Sequence, residues 1–493
     1  MPRKLVYSTL LLTGVNLLLR LVGTTFQVYL SGQIGAAGVG LLQLVLSVGS
    51  LALVAGMGGI RTTTMYLCAE ELGNGKNISR VLSACFLYSF LFSGTVAAGL
   101  WALSPRIAGS WIGALEIVPT LRLFAAFLPV VCLCGVMTGY FTAANRIGTL
   151  AAVEVAEQVF TLTVTMVLLQ FWRSPPLACL AVILGSSAGA CLTLSCLLVL
   201  RKRERDRIGP KIPMTRRLLQ AALPLALADD LKSGITTVEN LMVPRRLACN
   251  PRISSPLAAF GMVSGMVFPV MMFPAAILFG LNELLIPELA RCAAAGRRNR
   301  ILYLVKKSLR VTMIYGIVCC GILVLGADGL CLRLFGSTEA AHQLRLFSLL
   351  VPMLYCDAVT DAMTKGLGQQ KICVIYNIVT SFLDVLFLYL LLPKYGMSGY
   401  FCSFWVTHLL NFLLSLGRLL RITGLHIPFS LPALAGASML FSIFAASFVE
   451  PPLIRCGAYL VLLGCTLFLF QVLDRADLRW LRGLVQKNSL TVW

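Results

Sequence analysis

The sequence predicts an all-α polytopic membrane protein, and three observations carry that expectation: an apolar composition, long apolar runs that recur along the whole chain, and a weak internal repeat. Of 493 residues, 58% are hydrophobic and 12% charged, and the mean hydropathy is +0.86. Soluble domains carry about 25% charged and roughly 45–50% apolar residues. A soluble chain of this composition would lack the polar surface needed to stay dispersed, which excludes an ordinary cytosolic enzyme. The 41 Lys+Arg against 20 Asp+Glu leave a net charge of +21. In a soluble protein that balance would suggest nucleic acid; in a membrane protein it is a topology signal, because Lys and Arg collect in cytoplasmic loops.

A spanning helix needs about 20 mainly apolar residues. Fourteen such runs are expected, at 5–29, 37–60, 80–104, 121–144, 149–172, 177–200, 218–243, 256–282, 301–327, 342–365, 372–393, 397–421, 429–449 and 453–473. The first opens with Arg3 and Lys4 like a signal peptide, but Arg20 interrupts it and no small-residue cleavage motif follows, so it reads as an uncleaved span. Between the sixth and seventh lies a dense basic stretch, Arg201-Lys202-Arg203-Glu204-Arg205-Asp206-Arg207 with Lys211, Arg216 and Arg217, read as a cytoplasmic linker meeting anionic headgroups. The seventh span holds Pro224 and ends at Pro244, and the eighth holds Pro269 and Pro274. Proline removes a backbone donor and kinks a helix, which spans tolerate where freed carbonyls meet neighbours or a watered cavity. With both termini cytoplasmic, 29 of the 41 basic residues fall on the inner side, and that bias sets the expected orientation in the cell membrane. The 17 cysteines lie mostly in apolar runs and fit neither a zinc spacing nor a disulfide framework.

The halves repeat. At an offset of 221, Gly40, Gly59, Ala69 and Gly75 meet Gly261, Gly280, Ala290 and Gly296; at 223, Leu123-Phe124 and Pro129 meet Leu346-Phe347 and Pro352; at 212, Leu19-Arg20 and Thr24-Thr25 meet Leu231-Lys232 and Thr236-Thr237. Duplicated halves are the usual construction of secondary transporters, and an even number of spans per copy implies parallel repeats about an axis along the membrane normal. The expected divisions are a six-helix lobe at 1–200, the basic linker at 201–217, a second six-helix lobe at 218–421, and two further helices with a tail at 422–493.

Ionisable groups inside spans are costly and by default mark a pathway or a binding site. Arg20 and Lys232 occupy equivalent places in the two halves and suit a phosphate or pyrophosphate. Thr24, Thr25, Thr236 and Thr237 are candidates for the same substrate site. Eight acids lie in spans: Glu154, Glu157, Asp229, Asp230, Glu239, Asp357, Asp361 and Asp384. Asp357 and Asp361 are spaced i,i+4, and Glu154 and Glu157 i,i+3, so each pair shares a helix face where two bare charges repel and a proton or cation is called for. Asp229, Asp230 and Asp384, with Asn377, Thr380 and Ser381, offer oxygen ligands for Na⁺ or a proton relay. Arg61, Asn282 and Glu283 flank the expected cytoplasmic mouth as gate candidates. His342, His408 and His426 form no cluster, and neither a metal centre nor a catalytic residue is expected.

Six plus six plus two spans resemble the multidrug/oligosaccharidyl-lipid/polysaccharide (MOP) flippase superfamily. Within it, Arg20-Leu21-Val22-Gly23 and Ile34-Gly35-Ala36-Ala37-Gly38-Val39-Gly40-Leu41-Leu42-Gln43 resemble the stage V sporulation protein B group. So do Gly261-Met262-Val263-Ser264-Gly265-Met266, Phe273-Pro274-Ala275-Ala276 and Leu285-Ile286-Pro287-Glu288. The resemblance implies V-shaped lobes, alternating access, and passage of a polyprenyl-linked saccharide to the outer leaflet. It implies a first-span arginine in the cavity, matched by Arg20, and in some relatives Na⁺ between the seventh and eleventh spans, matched by Asp229 or Asp230 with Asn377. Ser381 departs from that pattern, standing where a carboxylate is wanted, with Asp384 one turn on.

The expected function is therefore an ion-coupled flippase for an undecaprenyl-pyrophosphate-linked cell-wall or spore-cortex precursor. It would be driven by Na⁺ or H⁺, without a resident cofactor or nucleic-acid partner, and act as a monomer among membrane lipids. The rival is a cation-coupled multidrug exporter of the same superfamily, and a remote one is a membrane-embedded saccharide polymerase or ligase.

Overall fold

The computed structural model describes residues 3–73, 78–202, 215–425 and 430–472. Among them every regular element is helical. The chain runs α1 (Arg3–Met57), α2 (Ile60–Gly73), α3 (Ile78–Arg106), α4 (Val118–Ala143), α5 (Ile147–Phe171), α6 (Pro175–Lys202), α7 (Thr215–Ala248), α8 (Pro256–Met262), α9 (Phe268–Met272), α10 (Ala276–Ala294), α11 (Arg298–Phe335), α12 (Thr338–Ser348), α13 (Val351–Gly366), α14 (Gln370–Tyr395), α15 (Met397–Thr423), α16 (Ser430–Ser447) and α17 (Pro452–Leu469). Among the described residues ten helices are long and apolar enough to cross a membrane, or up to twelve if each of two bent pairs is one span. Helices satisfy their own backbone groups, so they can span hydrocarbon where irregular chain cannot. Large apolar side chains remain exposed, among them Leu87, Phe90, Leu91, Phe382 and Phe444, and lipid-facing surface needs just such a coat. Most of the basic linker (203–214), the tail (473–493), Gly75 and His426 lie outside the described residues, as does the side chain of Glu283.

The shortfall from fourteen has local causes. The first two expected spans are two helical segments within α1, 3–34 and 36–57, that meet directly at a kink on Gly35, whose φ of 66° and ψ of 176° are non-helical, so they count together as one candidate span. The seventh expected span is the 34-residue α7, whose charges keep it from the apolar threshold.

The bent pairs are where proline places them. The eighth expected span becomes α8, a π-helical turn over Val263–Val267, α9 and, after a 62° bend, α10. The carbonyl of Pro274 at the break accepts a hydrogen bond from the Tyr315 hydroxyl of α11 at 2.8 Å. The tenth expected span bends by 52° between α12 and α13, just before Pro352. Ser337 starts α12 by accepting from the Ala340 amide at 3.1 Å, a side-chain N-cap that follows the left-handed Gly336 closing α11.

By packing, the helices form two compact units. One comprises the described residues within 1–273 and 377–404, the other those within 274–376 and 405–472. These units follow contacts, whereas the six-plus-six division follows sequence repetition, and the two partitions differ. In the first unit α1 crosses α8 at Gly40 and Gly261, where a Cβ on either glycine would overlap the partner's backbone. These are the residues matched at offset 221, so the repeat-related glycines meet each other. In the second unit Tyr459 of α17 lies fully buried and donates to the Ile317 carbonyl of α11 at 2.7 Å, anchoring the last helix.

Candidate functional site

The most elaborate buried polar cluster of the first unit lies where α7, α14 and α15 meet. Asp384 of α14 is 5% exposed and accepts a 2.6 Å hydrogen bond from the Ser403 hydroxyl of α15. The carboxyl of Glu239, on α7, is in hydrogen-bond contact with that of Asp384. Tyr400, one turn before Ser403, is buried within electrostatic range of both acids and packs its ring against Phe268 and Phe404. Gly396, with φ 57°, joins α14 to α15 through a single residue, which brings the two helices side by side at this level. On α7, Thr237 donates to the Ser47 carbonyl of α1 at 3.1 Å and Asn240 donates to the Ser47 hydroxyl at 2.9 Å, fixing the rotation of α7 that turns Glu239 inward. Two carboxyls in contact cannot both carry a bare charge; they share a proton or a cation. Chemically the cluster can take up one cation and release it.

A second buried acid site lies in the other unit. Asp357 of α13 accepts from the Asn411 amide of α15 at 3.1 Å on both oxygens, and the His408 ring nitrogen of α15 stands 4.0 Å away. Its i,i+4 neighbour Asp361 pairs with Lys365 at 2.6 Å. The two acids that share a helix face are thus served by different partners.

In the first unit Glu157 accepts from Thr193 of α6 at 2.7 Å, and Glu154 has Arg61 as its electrostatic neighbour. Close approach of α6 to α5 at Gly185 and Gly189, against Thr165 and Thr161, makes the Glu157 contact possible.

The expected substrate residues are placed less distinctively. Arg20 is half-buried and Lys232 exposed. Thr24, Thr25 and Thr236 donate back to the carbonyls of Arg20, Leu21 and Lys232, and Thr237 to those of Ser233 and Ser47, so all four hydroxyl protons are spent on backbone. Among the described residues Asp229 and Lys232 form no ion pair, and Asp230 has a buried oxygen without a hydrogen-bond partner. Thr380 bonds to the Asn377 carbonyl at 3.2 Å. Asn282 donates to the Ala358 carbonyl at 3.4 Å. Of the expected ion ligands, then, Asp384 sits at the centre of a cluster. Its partners Glu239, Ser403 and Tyr400 were not singled out from sequence; the available signal was that Glu239 falls on the seventh span and Asp384 on the eleventh, the two spans between which an ion was expected.

Comparison with known proteins places this architecture. The family model "Polysaccharide biosynthesis protein" matches residues 5–247. The chain is 22% identical over 418 residues to stage V sporulation protein B of Bacillus subtilis (strain 168), covering 80% of this chain and 79% of that one. Sporulation protein YkvU of the same organism is 22% identical over 388 residues, covering 73% and 82%. By these matches the chain is similar to a polysaccharide biosynthesis family over its N-terminal half and to two sporulation proteins over most of its length. Its fold is shared with solved transport proteins: the lipid II flippase MurJ in an inward closed conformation matches with a TM-score of 0.67 and 12% identity over 97% of this chain and 100% of that one. An inward-facing multidrug resistance transporter of the MATE family matches with 0.65 and 14% identity, over 84% and 98%.

Proposed function

We infer that the protein flips a lipid-linked saccharide, an undecaprenyl-pyrophosphate-linked cell-wall or spore-cortex precursor, from the cytoplasmic to the outer leaflet by cation-coupled alternating access. The observation that carries the coupling is the Glu239–Asp384 contact beside Ser403: a half-buried and a buried carboxyl together, an arrangement that favours sharing one proton or Na⁺. The substrate class is supported by the polysaccharide biosynthesis family match over 5–247, which includes Arg20, and by the likeness to stage V sporulation protein B. In this reading Arg20, with Lys232, holds the pyrophosphate through charge-assisted hydrogen bonds. Both termini are cytoplasmic, and the chain acts as a monomer. Arg61, Asn282 and Glu283 are the gate residues in this reading.

A cation-coupled drug exporter is the second reading, favoured by the near-equal likeness to a multidrug transporter fold. Depleting the protein separates them: the flippase reading predicts accumulation of a lipid-linked saccharide intermediate, with no change in drug efflux from a pump-deficient cell. Arg20→Glu, with membrane insertion verified, reproduces the accumulation. A variant that clears the intermediate at the normal rate removes the anion-site assignment.

A further inference from the structure

The second unit carries at one end a basic surface that the transport reading does not use. α10 leaves the line of α8 and α9 at 62° and ends in a short turn, where Gly296, with φ 66°, hands the chain on to α11. Leu285, Leu289 and Cys292 form the buried face of α10, while Leu284, Ile286 and Arg291 stay exposed. A bent helix that ends with apolar and basic groups on its open face suits the headgroup layer of a membrane. Tyr303, exposed in the second turn of α11, is an aromatic residue of the kind enriched at that level.

From Arg291 to Arg300 the chain holds four arginines and no acid. Two of them have a carboxylate partner: Glu288 pairs with Arg291 at 3.1 Å and with Arg300 at 3.9 Å. Arg297 and Arg298 are exposed, and among the described residues neither is paired with a carboxylate. A guanidinium nitrogen of Arg298 reaches across to Gly424, just past the end of α15, and stands 3.1 Å from where a Cβ on that glycine would be. Arg421, exposed and likewise without a carboxylate partner among the described residues, lies about one turn before Gly424. Arg418, a further turn back, spends its guanidinium on Gln369 at 2.6 and 3.2 Å. Membrane topology asks for basic residues on one side of the bilayer, but not for arginines of two separate helices to converge on one spot. Gathered without an acid they repel one another, and a phosphate among them replaces that repulsion with charge-assisted, forked hydrogen bonds.

We propose that Arg297, Arg298 and Arg421 form a binding site for the phosphate of an anionic membrane phospholipid, with the exposed apolar side of α10 beside its acyl chains. None of these arginines belongs to the coupling, substrate or gate residues, so the site stands apart from the flippase reading. It ties the α10–α11 turn and the end of α15 to one lipid.

The test is native mass spectrometry of the purified full-length protein in detergent, titrated with phosphatidylglycerol or phosphatidylcholine. Wild type is expected to bind phosphatidylglycerol more tightly. Replacing Arg297→Gln, Arg298→Gln and Arg421→Gln together is expected to weaken phosphatidylglycerol binding by about tenfold or more and to leave phosphatidylcholine unchanged, each arginine near a headgroup contributing roughly severalfold. A control with Arg106→Gln, Arg173→Gln and Arg252→Gln removes the same charge from exposed positions of the first unit and is expected to bind like wild type. Arg298→Gln alone, expected to bind several times more weakly, covers a triple variant that folds poorly. Equal losses in the two triple variants, a site variant that binds phosphatidylglycerol like wild type, or a wild type without preference between the two lipids overturns the site. Undecaprenyl pyrophosphate at equal concentration is expected to leave the bound phosphatidylglycerol in place; its displacement would assign the arginines to the transported lipid and overturn the phospholipid site.

Discussion

Two buried aspartates, Asp384 in the first unit and Asp357 in the second, face the same physical problem and are handled differently. Each is at least nine-tenths buried, and each accepts from a polar side chain of α15. Beyond that they part. Asp357 meets an amide shared between both oxygens and has a histidine ring nitrogen 4.0 Å away, so its named neighbours include no second acid in contact. Asp384 meets a hydroxyl and a second acid, and two carboxyls in contact disfavour carrying two bare charges at once. An intramembrane acid is thus not a coupling site by virtue of its burial; what matters is whether a second acid stands in contact with it.

Substitutions at the acid pair test this contrast most severely. Asp384→Asn and Glu239→Gln are each expected to abolish gradient-dependent flipping while leaving the protein inserted, whereas Asp357→Asn keeps most of it; a gradient-flipping assay in proteoliposomes reads all three. Loss of flipping in Asp357→Asn alone would reverse the assignment. Ser403→Ala comes next. It removes a hydrogen bond to a charged group, worth about 1.5–3 kcal/mol, and so weakens cation stabilisation of the protein by roughly tenfold or more. Asp357→Ala is expected to act on stability instead: it strands the buried Asn411 amide, lowering unfolding free energy by about 1–3 kcal/mol in a denaturation series without moving the cation midpoint. The smallest effect belongs to Lys365→Ala, which breaks a partly exposed i,i+4 pair with Asp361 and should change stability by no more than about 1 kcal/mol.

The same contrast marks what was legible in the sequence. Apolar runs, prolines and the repeat foretell an all-helical membrane protein, because each is a local or periodic signal: Pro274 and Pro352 sit at the bends, and Gly40 and Gly261, matched by offset alone, pack on one another. The same signals separate two spans at 30–36, and Gly35 breaks the helix there, by a kink rather than a loop. Sequence spacing also pairs acids that share a helix face, Asp357 with Asp361, yet the structure partners each across the fold or along it with a base or an amide. Glu239 and Asp384 lie 145 positions apart, and only tertiary packing reveals that their carboxyls touch. The threonines flanking Arg20 and Lys232 illustrate the converse. A hydroxyl in a span looks like a ligand in sequence, but in a helix it bonds to its own i−4 carbonyl unless a neighbour competes.

The measurement that tests the account most directly is flipping of an undecaprenyl-pyrophosphate-linked saccharide in proteoliposomes holding the wild-type protein, with a Na⁺ or proton gradient imposed and then collapsed. The account predicts net movement of the lipid-linked sugar that follows one of the two gradients, stops when it is collapsed, and is absent from Asp384→Asn. Gradient-driven movement that persists in Asp384→Asn, or a wild-type protein that moves the substrate equally with and without either gradient, would contradict it.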